Sequence, residues 1–223
     1  MLLVLPPVFQ NIGYYEGLSL ILWIVGIGLL FISSFLFILR AVKRDLKDPK
    51  IGFIAYCLFC GIFALARLIF TIGNITPDYY DFYTSIGYIL APLSLVPLLY
   101  VVETQIVTST KKIFLIITCI GIVIALFSLI FPESRYFALT MLSIIMPFSS
   151  ISMIILYLYI ITKTSGRLRQ KASLILIGLA LIGISHVMDS EYFVRLIPLE
   201  LAPICLIIGV ILFTVAQLYI KVK

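Results

Sequence analysis

Polar residues interrupt this chain at nearly regular intervals, and between them run apolar segments of about 20 residues, the length an α-helix needs to cross a hydrocarbon core. Seven such segments can be marked, at residues 17–40, 51–73, 83–108, 113–131, 137–162, 172–189 and 199–220. Lipid leaves no water for unpaired backbone groups, so spanning segments of this length are helices. The pattern therefore predicts an all-α membrane protein, a seven-transmembrane helix bundle over residues 17–220, with a short segment at 1–16 before it and a tail at 221–223.

The interrupting charges sort by side. Arg40, Lys43, Arg44, Lys47 and Lys50 fall between the first and second segments, Lys111 and Lys112 between the third and fourth, and Lys163, Arg167, Arg169 and Lys171 around the fifth-to-sixth turn. Lys221 and Lys223 close the chain, while the alternate loops hold Arg135 and Arg195 beside Asp78, Asp81, Glu133 and Glu191. The positive-inside rule then puts the N-terminus outside and the C-terminus in the cytoplasm. Residues 1–16 become a short extracellular segment: they lack a basic stretch and a small-residue cleavage site, and Pro6 and Pro7 break their apolar run. The expected location is the plasma membrane, as a multi-pass protein.

Composition agrees. At 63% hydrophobic and 12% charged residues, with a mean hydropathy of +1.23, the chain has too little polar surface to cover a soluble globule. The net charge of +6 is accounted for by anchoring at helix ends, which makes the lipid bilayer the expected partner and excludes nucleic acid. Oligomeric state is not legible.

Chemistry narrows the function by exclusion. Cys57, Cys60, Cys119 and Cys205 all lie within apolar segments, and the Cys57-x-x-Cys60 pair has no histidine or third cysteine near it, so it reads as packing with no metal. One histidine, no H-E-x-x-H, no G-x-S-x-G and no glycine-rich phosphate loop speak against an enzyme and against a bound cofactor. No lysine precedes Lys221 in the last segment, which removes the Schiff base of a retinal protein.

The remaining polar groups fall on helix faces. Cys57, Cys60, Gly61, Ala64, Arg67, Thr71 and Asn74 recur at steps of three and four on the second segment, a small and polar stripe that must face other helices. An arginine within lipid, at a cost of roughly 2.5–3.5 kcal/mol at the bilayer centre, needs a carboxylate, carbonyls or water. Asp189 and Glu200 are the carboxylates at similar depth. An outward-opening pocket lined by Arg67, Tyr88, Ser143, His186, Asp189 and Glu200 is the ligand-site expectation, and a structural ion pair of Arg67 with one of the two acids is its rival. Pro92, Pro97, Pro147 and Pro203 free backbone carbonyls beside that pocket. Glu103 falls near the cytoplasmic face, where Arg40, Lys43 or Arg167 are its expected partners and where it forms, with Arg167 and Arg169, an anchor or switch. Trp23 is assigned to packing.

Two stretches carry a family resemblance: Ile86–Lys112, in which Glu103 closes the third segment, and Gly166–Gly209, with the basic turn Arg167–Ala172 leading to Gly178 and the Glu200-Leu201-Ala202-Pro203 approach to the last segment. In these the chain resembles the seven-transmembrane N-terminal sensor region of histidine kinases. The resemblance implies a sensory input domain whose signal passes through the bundle to a cytoplasmic output. A kinase of that family continues into a coiled coil and catalytic core where this sequence reaches Lys223, so the output is expected from a separate cytoplasmic signalling protein.

The expected function is a receptor-like membrane sensor of a small molecule, a lipid or a membrane state. The alternatives are a small-solute transporter, to which the prolines and a loose three-helix repeat point, and a structural subunit of a membrane complex.

Overall fold

A computed structural model of the chain describes residues 17–43, 47–131, 135–190, 193 and 196–219; side chains are not described at 142–150 and at scattered positions of the second, fourth and fifth helices. The expected 1–16 segment and 221–223 tail lie outside the described residues. What is described is all-helical, in the order α1 (Gly17–Val42), α2 (Lys47–Ile75), α3 (Tyr80–Val101), α4 (Ile113–Ile130), α5 (Arg135–Lys163), α6 (Gly166–Met188) and α7 (Leu201–Tyr219).

Among the described residues, five stretches are long and apolar enough to cross a membrane: Gly17–Val42, Lys50–Ile75, Pro77–Ile106, Gly166–Met188 and Leu201–Tyr219. By length and composition these make the chain an integral membrane protein. Shorter apolar stretches, Ile113–Phe127 and Met153–Lys163, belong to α4 and α5.

Helix limits depart from the apolar segments where polar residues remain good helix formers. α6 begins at Gly166, six residues ahead of the segment expected at 172, because Arg, Leu, Gln and Lys propagate a helix in water as well as in lipid. α3 behaves differently at its end. Its last turn widens into a π-helical turn over Val102–Ile106, and Lys111 and Lys112 take left-handed conformations (φ 48° and 65°) that turn the chain into α4.

Each helix packs on the next in sequence and α7 returns to α1, so the seven close into a ring, with a smaller contact between α3 and α5 inside it. Aromatic rings fill one part of the core. Phe37 of α1, Tyr56 of α2 and Phe213 of α7 meet with centroids 5.5–5.8 Å apart. The seam between α1 and α7 carries a buried hydrogen bond from Thr214 Oγ1 to Ser33 Oγ (2.8 Å), and that between α1 and α2 one from Ser34 Oγ to the Cys57 carbonyl (2.9 Å). Between α6 and α7 the approach is backbone to backbone. A methyl group on Gly178 would lie 2.8 Å from the Phe213 nitrogen and 2.9 Å from the Gly209 oxygen; one on Gly209 would lie 2.8 Å from the Gly178 oxygen. Only glycine at both positions lets the two backbones touch. Large apolar side chains such as Ile21, Ile24, Phe35 and Ile211 are exposed on the outside, as a surface that meets lipid requires.

Candidate functional site

The polar stripe of α2 does face inward: Cys60, Ala64, Arg67, Thr71 and Asn74 are buried. Two of its side chains bond within the helix, Thr71 Oγ1 donating to the Arg67 carbonyl (2.8 Å) and Asn74 Nδ2 to that of Phe70 (2.9 Å). Arg67 is the member that reaches across the bundle. Its Nη1 donates to Asp189 Oδ2 at 2.7 Å, and the two side chains are only 2% and 7% exposed.

Asp189 follows the last residue of α6, where unpaired carbonyls and the negative end of the helix dipole disfavour an anion. The guanidinium offsets both. It is held in place by rings. Its Cζ lies 4.3 Å from the centroid of Trp23, on α1, and 5.7 Å from those of Phe63 and Phe70, on its own helix. Arg67 thus ties α1, α2 and the end of α6 together, yet its Nε and Nη2 have no hydrogen-bond partner among the described residues.

His186 stands one turn before Asp189 on α6. Its imidazole leans on the same two phenylalanines, with centroids 6.1 Å from Phe63 and 6.0 Å from Phe70, so a cation and a histidine flank one pair of rings. His186 Nδ1 is shielded from solvent and has no hydrogen-bond partner among the described residues; nor has Ser185 Oγ, which is fully buried. Next to His186 lies a cavity of about 40 Å³, bounded by Phe63 of α2, Leu95 of α3, Met153 of α5 and Ile182 of α6. Its lining is mainly apolar.

Of the other expected pocket residues, Tyr88 is close: its ring packs edge-on against Phe70 at 5.2 Å. Ser143 lies in α5 where side chains are outside the described set. Glu200 is half-buried in the turn ahead of α7, with its carbonyl accepting from the Ile204 amide (3.2 Å), and the pair with Arg67 is made by Asp189. Arg167 and Arg169 are exposed in the first turn of α6, at the end of that helix remote from Asp189.

Glu103 takes different partners from those expected. It is 2% exposed, and its carboxylate accepts from the backbone amides of Phe114 (3.3 Å) and Leu115 (2.8 Å) rather than from Arg40, Lys43 or Arg167. The physical reason is local. The first turn of α4 offers free N–H groups at the positive end of its dipole, and the left-handed Lys111–Lys112 corner brings that turn back against the π-helical end of α3. Glu103 therefore anchors α3 to α4.

Sequence reasoning missed the role of Trp23. A depth argument reaches it: α1 and α2 are adjacent and run in opposite directions, and the chain's one tryptophan, near the start of α1, sits level with an arginine near the end of α2. No protein-family description, curated protein or solved structure matches the chain.

Proposed function

We propose that the chain is a receptor-like sensor with seven membrane spans, its N-terminus outside and its C-terminus in the cytoplasm of a plasma-membrane protein. It detects a small molecule, lipid or membrane state at the site formed by Arg67, His186 and Asp189, and it acts through a separate cytoplasmic signalling protein rather than by catalysis. The basic residues of alternate connections support the orientation.

The observation that carries the reading is the course of α6. One continuous helix joins Asp189, which holds the buried Arg67, to the exposed Arg167 and Arg169 at its other end. A change in what Arg67 holds is then a change in the force on one end of a rod whose other end faces water. Two packings that differ in that contact give the sensor its states, and whatever binds one of them better shifts the balance. The resemblance to sensor regions of histidine kinases supports the same assignment.

The test is gentle purification of the intact chain from native membranes, followed by mass spectrometry of co-purifying proteins. A stoichiometric cytoplasmic signalling protein whose occupancy changes in Arg67→Leu is the expected result. A folded chain with no such partner, in both wild type and variant, overturns the reading.

A further inference from the structure

We infer that the turn between α5 and α6 is a docking surface for the phosphate of an anionic phospholipid, held by Lys163, Arg167 and Arg169. The inference goes beyond the sensor reading and does not need it: it requires a chain that spans a bilayer, and nothing at Arg67.

Charge singles out this turn among the basic connections. Lys43 and Lys50 flank a stretch of sequence that also carries Asp45 and Asp48, and Lys111 and Lys112 follow the buried carboxylate of Glu103. Residues 136–188, by contrast, contain no aspartate or glutamate, and α7 has none either. Lys163, Arg167 and Arg169 are exposed, and among the described residues no carboxylate pairs with any of them. Lys171 is directed elsewhere: its Nζ lies 3.5 Å from the Gln217 carbonyl oxygen, near the end of α7. Three neighbouring cations without a protein counter-charge attract an anion from outside the chain.

Depth says which anion. Residues 165–170 are all exposed, so the first turn and a half of α6 stands clear of the other helices. The apolar run of α6 begins at Ala172. At 1.5 Å per residue, Arg169 and Arg167 then lie about 4.5 and 7.5 Å beyond it, and the headgroup layer is roughly 5–7 Å deep on each side of the hydrocarbon. Tyrosines mark the same level independently. Tyr159 of α5 and Tyr219, the last residue of α7, are both exposed, as amphipathic rings at a membrane–water boundary are. Lys163 Nζ lies 5.8 Å from the centroid of the Tyr159 ring. A phosphate at this depth belongs to a lipid, and the guanidinium fork matches its paired oxygens.

The test places the purified intact chain in nanodiscs of mixed phosphatidylcholine and phosphatidylglycerol. The lipids it retains on release into detergent are counted by native mass spectrometry. Phosphatidylglycerol is expected to be retained in preference to phosphatidylcholine, whose phosphate is offset by its own cation. Arg167→Gln with Arg169→Gln should cut that retention at least about tenfold and Lys163→Gln about fivefold, whereas Lys43→Gln with Lys50→Gln should leave it nearly unchanged. Soluble glycerol 3-phosphate, the same chemistry without acyl chains, should not displace the lipid. Equal retention of the two lipids, an equal loss in the Lys43 and Lys50 pair, or displacement by the soluble ester overturns the inference. If the double arginine variant does not fold, Lys163→Gln decides against the same control. None of these variants touches Arg67, so a failure here leaves the sensor reading standing, and a failure of that reading leaves the lipid surface standing.

Discussion

Arg67 and Asp189 are separated by 122 residues of chain and joined by a 2.7 Å hydrogen bond in which both charges are withdrawn from solvent. A pair of this kind is unequal to the sum of its parts. Removing one member strands the other in a low-dielectric core at about 3–5 kcal/mol, whereas replacing both by apolar groups of similar volume is often neutral. Asp189→Leu and Arg67→Met are each expected to destabilise the bundle by that amount, and the double variant to recover most of it. Unfolding titrations of the three proteins give the coupling; singles and double that lose stability additively would show that the pair contributes nothing as a pair.

The α6–α7 seam predicts a steep size dependence at one position. Gly178→Ala puts a methyl group within 3 Å of two backbone atoms of α7, which must separate by a few tenths of an ångström. Overpacking of that order costs about 1–3 kcal/mol, and Gly178→Leu exceeds it. Thermal unfolding in nanodiscs checks the order Gly, Ala, Leu.

Glu103 predicts a local effect. Without its carboxylate, two amides at the start of α4 lose a charged acceptor, at about 1.5–3 kcal/mol. In Glu103→Ala the Leu115 amide should exchange with deuterium at least about tenfold faster, while amides in the middle of α6 keep their rates. Uniform acceleration throughout would mean that Glu103 supports the whole bundle and not the α3–α4 corner.

Orientation is checked with single cysteines introduced after Cys57, Cys60, Cys119 and Cys205 are replaced by alanine. Ser165 and Leu196 are both exposed and flank opposite ends of α6. A membrane-impermeant maleimide applied to intact cells should label Leu196→Cys and spare Ser165→Cys, and in inverted vesicles the preference should reverse. Labelling of Ser165→Cys from outside would invert the topology.

How much of this was readable beforehand depended on the kind of contact. Helices were legible because lipid enforces one rule on every segment, and each expected apolar segment has its helix; the 172 start of α6 failed because the rule reports lipid contact and says nothing of helix in water. The inward face of α2 was legible from the three- and four-residue spacing of Cys60, Ala64, Arg67 and Thr71. Asp189 was one of two carboxylates expected for Arg67, and depth alone does not separate it from Glu200. What separates them is the rotation of α6 and α7 about their axes, fixed by Gly178 against Gly209. Glu103 was placed near the correct end of α3, but its partners are backbone amides, which leave no mark in side-chain composition. Of the cavity's lining, His186 was among the expected pocket residues, whereas Phe63, Leu95, Met153 and Ile182 were not, because a shortfall of volume among four helices is encoded by no single apolar residue.

Where α6 and α7 touch at Gly178 and Gly209, nothing deformable lies between them. Side chains elsewhere in the ring can absorb a small displacement by changing rotamer, but two backbones in contact transmit it. The hairpin is therefore a single stiff plank about two helices wide. On the proposed reading, a tilt imposed at its Asp189 end is expected to reappear at the end that carries Arg167 and Gln217, with the glycine contact as its fulcrum.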